Sequence, residues 1–247
     1  ADLIHQRLRQ VVKEDFLIMA GCFIGIGVGP GDPKLLTVRA VECIQEADVI
    51  IAPRSEKKED SRALFIAQSY IKAETQIIKM VFPMVNSSEV QQEAWKENRK
   101  VLRELMEQGK KVVFLTLGDP MFYSTYMYVF QELKEAGYEV ENVPGIPAFC
   151  GISNFLGYPV AEGTSVLTII PATMEEAELD KTLATADNVV LMKAYKNVAS
   201  LIGKLRTAGF SGVLVSNYGL PDQKVSEWEE VERVGAPYLS TILARRA

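Results

Sequence analysis

Apolar residues fall along this chain in two alternating rhythms, short unbroken runs and longer stretches in which they recur every three or four positions. The first rhythm marks buried strands and the second amphipathic helices. Residues 1–15 are mostly polar and read as a short helix or a loose tail. Phe23–Val28 is then a strand, Leu35–Ala47 a helix and Asp48–Ala52 a strand. Ser61–Ile71 is a helix, Gln76–Phe82 a strand stopped by Pro83, and Ser87–Gln108 a long polar helix closed by Gly109. Lys111–Leu117 is a buried strand, Tyr123–Ala136 a helix and Tyr138–Val143 a strand before Pro144-Gly145. The pattern then repeats: helix Ile146–Leu156, strand Ser165–Ile170, helix Met174–Ala186, strand Asn188–Met192, helix Asn197–Ala208, strand Gly212–Ser216. Lys224–Val231 and Tyr238–Ala244 close the chain as two strands with no helix between them, an expected antiparallel pair at the end of the second sheet.

Strands alternating with helices specify an α/β class with parallel strands. Two such runs predict two α/β domains, residues 22–144 and 145–247, after an N-terminal extension at 1–21. A ligand cleft is expected between them. The 247 residues suffice for two small domains.

Composition narrows the chemistry. Lys plus Arg is 27 against 32 for Asp plus Glu, a net charge of -5, so no basic excess draws the chain to nucleic acid. The single histidine, His5, lies in the polar N-terminal stretch, which leaves histidine general-base catalysis and most zinc sites without their residue. Cys22, Cys43 and Cys150 form no CxxC, so no disulfide framework or thiolate metal site is expected, and a reducing, cytoplasmic setting fits. No apolar run reaches the roughly 18 residues of a membrane helix. Phe16–Val28 contains Met19-Ala20-Gly21-Cys22, loosely like a lipoprotein cleavage site, but Glu14 and Asp15 precede it where a leader carries positive charge.

The densest motif is Gly25-Ile26-Gly27-Val28-Gly29-Pro30-Gly31-Asp32-Pro33. Glycines after a first strand let a ligand approach the backbone closely. The dinucleotide pattern GxGxxG fails, its last position falling on Pro30 or Asp32, and no Gly-Lys-Ser/Thr completes a phosphate loop. The GxGxG of Rossmann-like methyltransferases is met, but Phe23 and Ala52-Pro53-Arg54 stand where its acids belong. Pro30-Gly31 suits a type II turn, with Asp32 capping a helix that has Pro33 at its first position. A second block, Leu117-Gly118-Asp119-Pro120-Met121-Phe122-Tyr123-Ser124-Thr125-Tyr126, follows a buried strand at the sheet edge where α/β proteins bind ligands. A third, Pro144-Gly145-Ile146-Pro147-Ala148-Phe149, follows the next strand.

In this order the motifs resemble the tetrapyrrole methylase family, class III S-adenosylmethionine-dependent methyltransferases, over residues 22–245. Val189–Tyr195 resembles that family's strand with a cofactor-facing methionine, and Val215–Gly219 a later loop. The resemblance implies that S-adenosylmethionine is held by Pro30, Leu117, Gly118, Asp119, Phe122, Pro147, Ala148, Met192 and Tyr218. Ser124 and Thr125 join them by spacing alone. It also implies a homodimer, a tetrapyrrole substrate, no bound metal, and no nucleic-acid or membrane partner. Gly118–Tyr128 and Pro144–Val160 are similar to the branch that methylates C20 of an early corrinoid, and Ala52–Leu64 is more like its cobalt-factor II form. Precorrin-2, an RNA or protein substrate, and a non-catalytic nucleotide-ligand sensor stay as alternatives. No catalytic side chain is assigned; Tyr123, Tyr126 and Tyr195 are candidate hydrogen-bonding groups. Arg39, Arg54, Lys57, Lys58 and Arg62 gather near strand ends, where guanidinium and ammonium groups suit the substrate's carboxylates. Met121, Phe122 and Phe149 are apolar supports for its faces.

Overall fold

The computed structural model describes residues 21–54, 61–82 and 89–246. The tail expected at 1–15, His5 and most of the leader-like stretch lie outside the described residues, as do Pro83, Lys57 and Lys58. Two compact units make up the chain, the first ending at Ile146 and the second beginning at Pro147.

The first unit runs β1 (Phe23–Gly27), α1 (Val38–Glu46), β2 (Val49–Arg54), α2 (Arg62–Ala67), β3 (Gln76–Val81), α3 (Glu89–Glu107), β4 (Val112–Thr116), α4 (Tyr126–Glu135) and β5 (Val140–Val143). Its sheet has the order β3-β2-β4-β1-β5 and every pairing is parallel. Every residue of β1 and β4 is buried, as a parallel sheet covered on both faces requires.

One face of β1 and β4 packs an aromatic core. Phe23 stacks on Tyr126 with ring centroids 6.1 Å apart, and Phe114 lies 5.3 Å from the same ring. Tyr126 is fully buried, and its hydroxyl donates to Asn142 Oδ1 at 2.6 Å. Burial pushes its phenol far above the ordinary tyrosine range, so it is a structural hydrogen-bond donor. Tyr126→Phe keeps the ring and removes this bond. A stability loss of about 1 kcal/mol is expected in urea unfolding, with donor affinity unchanged. An unchanged midpoint would mean that the bond contributes nothing.

Several boundaries move for local reasons. The helix expected from Leu35 begins at Val38, because Asp32 caps only a 3-10 turn, Pro33–Leu35, by accepting from Lys34 N at 2.8 Å. Thr37 then caps α1 by accepting from Ala40 N. The type II turn at Pro30-Gly31 does not form. Positive φ falls on Gly29 instead, at 73°, where the chain turns back against β4. The helix expected from Tyr123 starts at Tyr126, since Tyr123 has a φ of 49° and Ser124 Oγ accepts from Tyr126 N.

The second unit runs α5 (Ala148–Leu156), β6 (Leu167–Pro171), α6 (Glu176–Thr185), β7 (Asn188–Met192), α7 (Val198–Thr207), β8 (Phe210–Ser216), β9 (Lys224–Ser226), α8 (Trp228–Val234) and β10 (Ser240–Arg246). Its sheet is mixed, with the order β6-β7-β10-β8-β9. The expected closing strand pair is overturned. The strand from Lys224 ends at Ser226, and α8 follows because Trp228 and Val231, three apart, both reach the core. Glu229 and Glu230 sit in its first turn, where acids favour a helix start. β10 does not pair with β9. It enters between β7 and β8, antiparallel to both, and buries Ser240 to Ala244.

Among the described residues no helix is long and apolar enough to cross a membrane, and no three His, Cys, Asp or Glu residues are grouped to hold a metal ion.

Candidate functional site

In the first sheet the chain leaves β1 across β4 to reach β2, and leaves β4 across β1 to reach β5. Right-handed crossovers send these connections to opposite faces, so the carboxyl ends of β1 and β4 form a topological switch point, where α/β sheets take ligands.

The backbone there is tied together. Gly29 N donates to Gly118 O at 3.2 Å, and Gly118 N donates to Gly29 O at 2.8 Å. Val28 N donates to Thr116 O at 2.9 Å. The Asp119 carboxylate extends the knot to β5: Oδ1 accepts from Met121 N at 2.8 Å and Oδ2 from Gly145 N at 3.0 Å. One side chain thus fixes its own loop and fastens it to the loop after β5.

The glycines do not do what the motif alone led one to expect. A Cβ on Gly25 would lie 2.0 Å from the Tyr126 ring. A Cβ on Gly27 would lie 2.4 Å from Gly118 O and 2.5 Å from Gly145 N, and one on Gly145 would lie 2.1 Å from Gly118 O. These positions face protein. Gly25 makes room for the Tyr126 ring, and Gly27 and Gly145 let three strand ends touch backbone to backbone, so their contribution to a ligand site is indirect.

Around this platform Pro30 and Gly118 are buried, and Leu117, Phe122, Ser124 and Thr125 are half-buried. Phe122 and Tyr123 meet edge-on, 4.9 Å between centroids. Met121 and Tyr123 are each 40% exposed, an apolar shelf at the rim. Tyr123 holds a left-handed backbone that costs a bulky residue about 1–3 kcal/mol, strain of the kind that collects at functional sites. Thr116, the last residue of β4, is 6% exposed, and its hydroxyl has no partner among the described residues.

The other expected donor-binding residues lie in the second unit. Pro147 is the extended residue before α5 and Ala148 the first residue within it. Met192 ends β7, half-buried, with its carbonyl accepting from Ala172 N at 2.7 Å. Tyr218 follows β8 and packs 5.8 Å from the Phe155 ring. Sequence reasoning passed over Lys193 in favour of its neighbour Met192. Lys193 has a φ of 60°, and burial pushes its ammonium below the ordinary lysine range.

Of the expected cation group, Lys57 and Lys58 lie outside the described residues. Arg39 is held by Glu141 through contacts of 3.1–3.2 Å, and by Glu42 at 3.6 Å. Glu141 lies opposite Ile24, toward the amino end of β1 and away from the switch point. Arg54 ends β2, on the carboxyl side of the sheet. Tyr195 lies in the turn after β7, with its ring against Tyr238.

Residues 23–232 match the family described as Tetrapyrrole (Corrin/Porphyrin) Methylases. A cobalt-precorrin-2 C(20)-methyltransferase of Salmonella typhimurium is 33% identical over 92% of this chain and 98% of its own length. A precorrin-2 C(20)-methyltransferase of Sinorhizobium sp is 30% identical over 90% of this chain and 94% of its own. The chain shares its fold with a cobalt precorrin-4 methyltransferase, TM-score 0.73 at 21% identity over 91% of this chain and 94% of that one. It does so also with a Thermus thermophilus uroporphyrin-III C-methyltransferase complexed with S-adenosylhomocysteine, TM-score 0.67 at 20% identity, covering 91% and 92%.

Proposed function

This chain belongs to the tetrapyrrole (corrin/porphyrin) methylase family, and from that premise we propose that it transfers a methyl group from S-adenosylmethionine to C20 of cobalt-factor II in the anaerobic route of cobalamin biosynthesis. The observation that carries this reading is whole-length likeness to the Salmonella cobalt-precorrin-2 enzyme, 33% identical over 98% of that protein.

The residues suit the methyl donor. The Thr116 hydroxyl, buried at the end of β4, has no partner among the described residues, and the platform gathers main-chain groups at the same edge. Pro30, Leu117, Gly118, Asp119, Phe122, Ser124, Thr125, Pro147, Ala148, Met192 and Tyr218 are the residues assigned to hold it. Met192 would pack its thioether on the adenine ring. Asp119 acts here as a positioning residue, because both its oxygens already accept backbone N–H groups. When bound, the donor supplies an activated, electrophilic methyl group. The chain's part is then to align the carbon nucleophile and exclude water. Met121 and Phe122 offer apolar surface to a flat macrocycle, and Arg54, at the end of β2, offers a cation to its carboxylates. The same reading includes a homodimer in the cytoplasm, which sedimentation equilibrium and cell fractionation test.

Likeness to the Sinorhizobium enzyme makes metal-free precorrin-2 the second reading. Anaerobic incubation of the protein and S-adenosylmethionine with each tetrapyrrole, read by mass spectrometry, separates them. One added methyl on cobalt-factor II and little on precorrin-2 is expected. Methylation of precorrin-2 alone would move the enzyme to the aerobic route, and methylation of neither would remove the corrinoid reading.

A further inference from the structure

The second sheet brings two of its loops to one edge. β10 runs antiparallel to both β7 and β8, so those two strands point the same way and their carboxyl ends share an edge. Sheets of α/β proteins take ligands at such an edge. The chain entering β10 lies there too and is bonded to both loops. Asn217 N, after β8, donates to Leu239 O at 2.8 Å, and Ala194 N, after β7, donates to Ser240 O at 3.0 Å. Side chains add a further tie. Ser240 Oγ donates to Pro237 O at 2.6 Å and lies 2.9 Å from Ser216 Oγ, and both serines are buried. A hydroxyl has one proton to give. Ser240 gives its own to Pro237, so Ser216 is the donor of the serine pair.

The loop at 217–223 joins β8 to β9, and its own side chains set its shape. Tyr218 stands between two left-handed residues, Asn217 at a φ of 50° and Gly219 at a φ of 73°. Each is held from the far end of the loop. Asn217 Nδ2 donates to Asp222 Oδ2 at 2.9 Å, and Gly219 N donates to Gln223 Oε1 at 2.7 Å. Leu220 N donates to Asn217 O, and Gln223 N to Leu220 O, each at 3.0 Å. The bend around Tyr218 therefore rests on side-chain bonds, and its foot rests on the buried serine pair. Loops joining hairpin strands usually have two to five residues and turn without such fastening. A longer loop fixed at each step has already lost the freedom that a ligand would otherwise have to remove.

We propose that Gln223 and the Ser216–Ser240 pair are positioning residues for the methyl donor, holding the loop after β8 in its donor-bound shape before the donor arrives. This rests on the reading above, in which Tyr218 holds S-adenosylmethionine. The three side chains act through the backbone on either side of Tyr218. Without the Gln223 acceptor the Gly219 N–H is released, and the ordering of the loop falls on the binding step.

Three variants test it. Gln223→Met keeps the length of the side chain and removes the acceptor, whereas Gln223→Glu keeps an acceptor. Ser216→Ala cuts the tie at the foot of the loop and leaves the bond from Ser240 to Pro237 in place. By calorimetry, the dissociation constant for S-adenosylhomocysteine is expected to rise about fivefold or more in Gln223→Met and about threefold or more in Ser216→Ala. Gln223→Glu is expected to recover most of the affinity. In steady-state kinetics the KM for S-adenosylmethionine rises with it, while kcat and the KM for cobalt-factor II stay within about twofold of wild type. Hydrogen exchange at 217–223 is expected to quicken in donor-free Gln223→Met and to slow again at saturating S-adenosylhomocysteine. A side chain that serves stability alone would lower the unfolding temperature and leave donor affinity as it was. That result in Gln223→Met and Ser216→Ala, or an equal rise in the KM for the tetrapyrrole, overturns the proposal while wild-type binding of S-adenosylhomocysteine upholds the donor reading. A wild-type protein that binds no S-adenosylhomocysteine removes the reading and the proposal with it.

Discussion

Gly27→Ala is expected to damage the first unit severely. The new carbon would stand 2.4 Å from Gly118 O and 2.5 Å from Gly145 N. Both neighbours are backbone, and Gly118 is bonded to Gly29 in both directions. No side chain can rotate away, so the ends of β1, β4 and β5 must separate. Overpacking of this kind costs about 1–3 kcal/mol and more where the backbone is pinned. The variant is expected to lose about 3 kcal/mol in urea unfolding and at least about 100-fold in S-adenosylhomocysteine affinity by calorimetry. Ile26→Val, one residue away in the buried strand, serves as the control and is expected to cost about 1 kcal/mol with affinity retained. Equal affinities in wild type and Gly27→Ala would show that the three strand ends do not govern donor binding.

Asp119→Asn is expected to follow closely, through charge and geometry together. The carboxylate accepts from Met121 N with one oxygen and from Gly145 N with the other. An asparagine has one acceptor oxygen. Its amide NH2 must face one of the two N–H groups, turning a charge-assisted bond into a clash of donors. Bonds to ionised groups contribute about 1.5–3 kcal/mol each, so a stability loss of about 2–3 kcal/mol is expected. Catalytic efficiency is expected to fall about 100-fold or more, because the loop after β4 loses its anchor to the loop after β5. Asp119→Ala should be no worse than asparagine, since it adds no opposing donor. An asparagine variant with wild-type kinetics would show that the carboxylate positions nothing.

Much of the fold was legible because buried parallel strands write themselves as unbroken apolar runs; Val112–Thr116 and Val49–Ala52 are examples. Asp32 was legible as a cap because capping is local. Helix α8 was not. Its seven residues offer three apolar positions, Trp228, Val231 and the exposed Val234, and only packing of the first two on the second unit's core turns the segment from strand to helix. β10 was placed at an edge because sequence order suggests neighbours, whereas its pairing with β7 and β8 is non-local. The glycine motif announced that Cβ atoms were forbidden at Gly25 and Gly27. It did not say whether ligand or protein filled the space, and the answer involves Tyr126 and Gly145, both about a hundred residues downstream. Lys193 was overlooked for the same kind of reason: its residue type says nothing of the left-handed backbone that neighbouring strands impose.

The joining of β1 to β5 also sets a timetable for synthesis. Phe23 pairs with Val140, and Gly27 meets Gly145, so the amino-terminal strand is made long before its last partner exists. At a ribosomal rate of about 5–20 residues per second, the interval is roughly 6–24 s. Through that time β1 presents an apolar edge with no strand to cover it, the kind of surface that chaperones shield and that invites aggregation. The platform is therefore completed only once the ribosome has passed the first unit's end. A nascent chain halted before Gly145 would carry the glycine motif intact and still lack the contacts that give it shape.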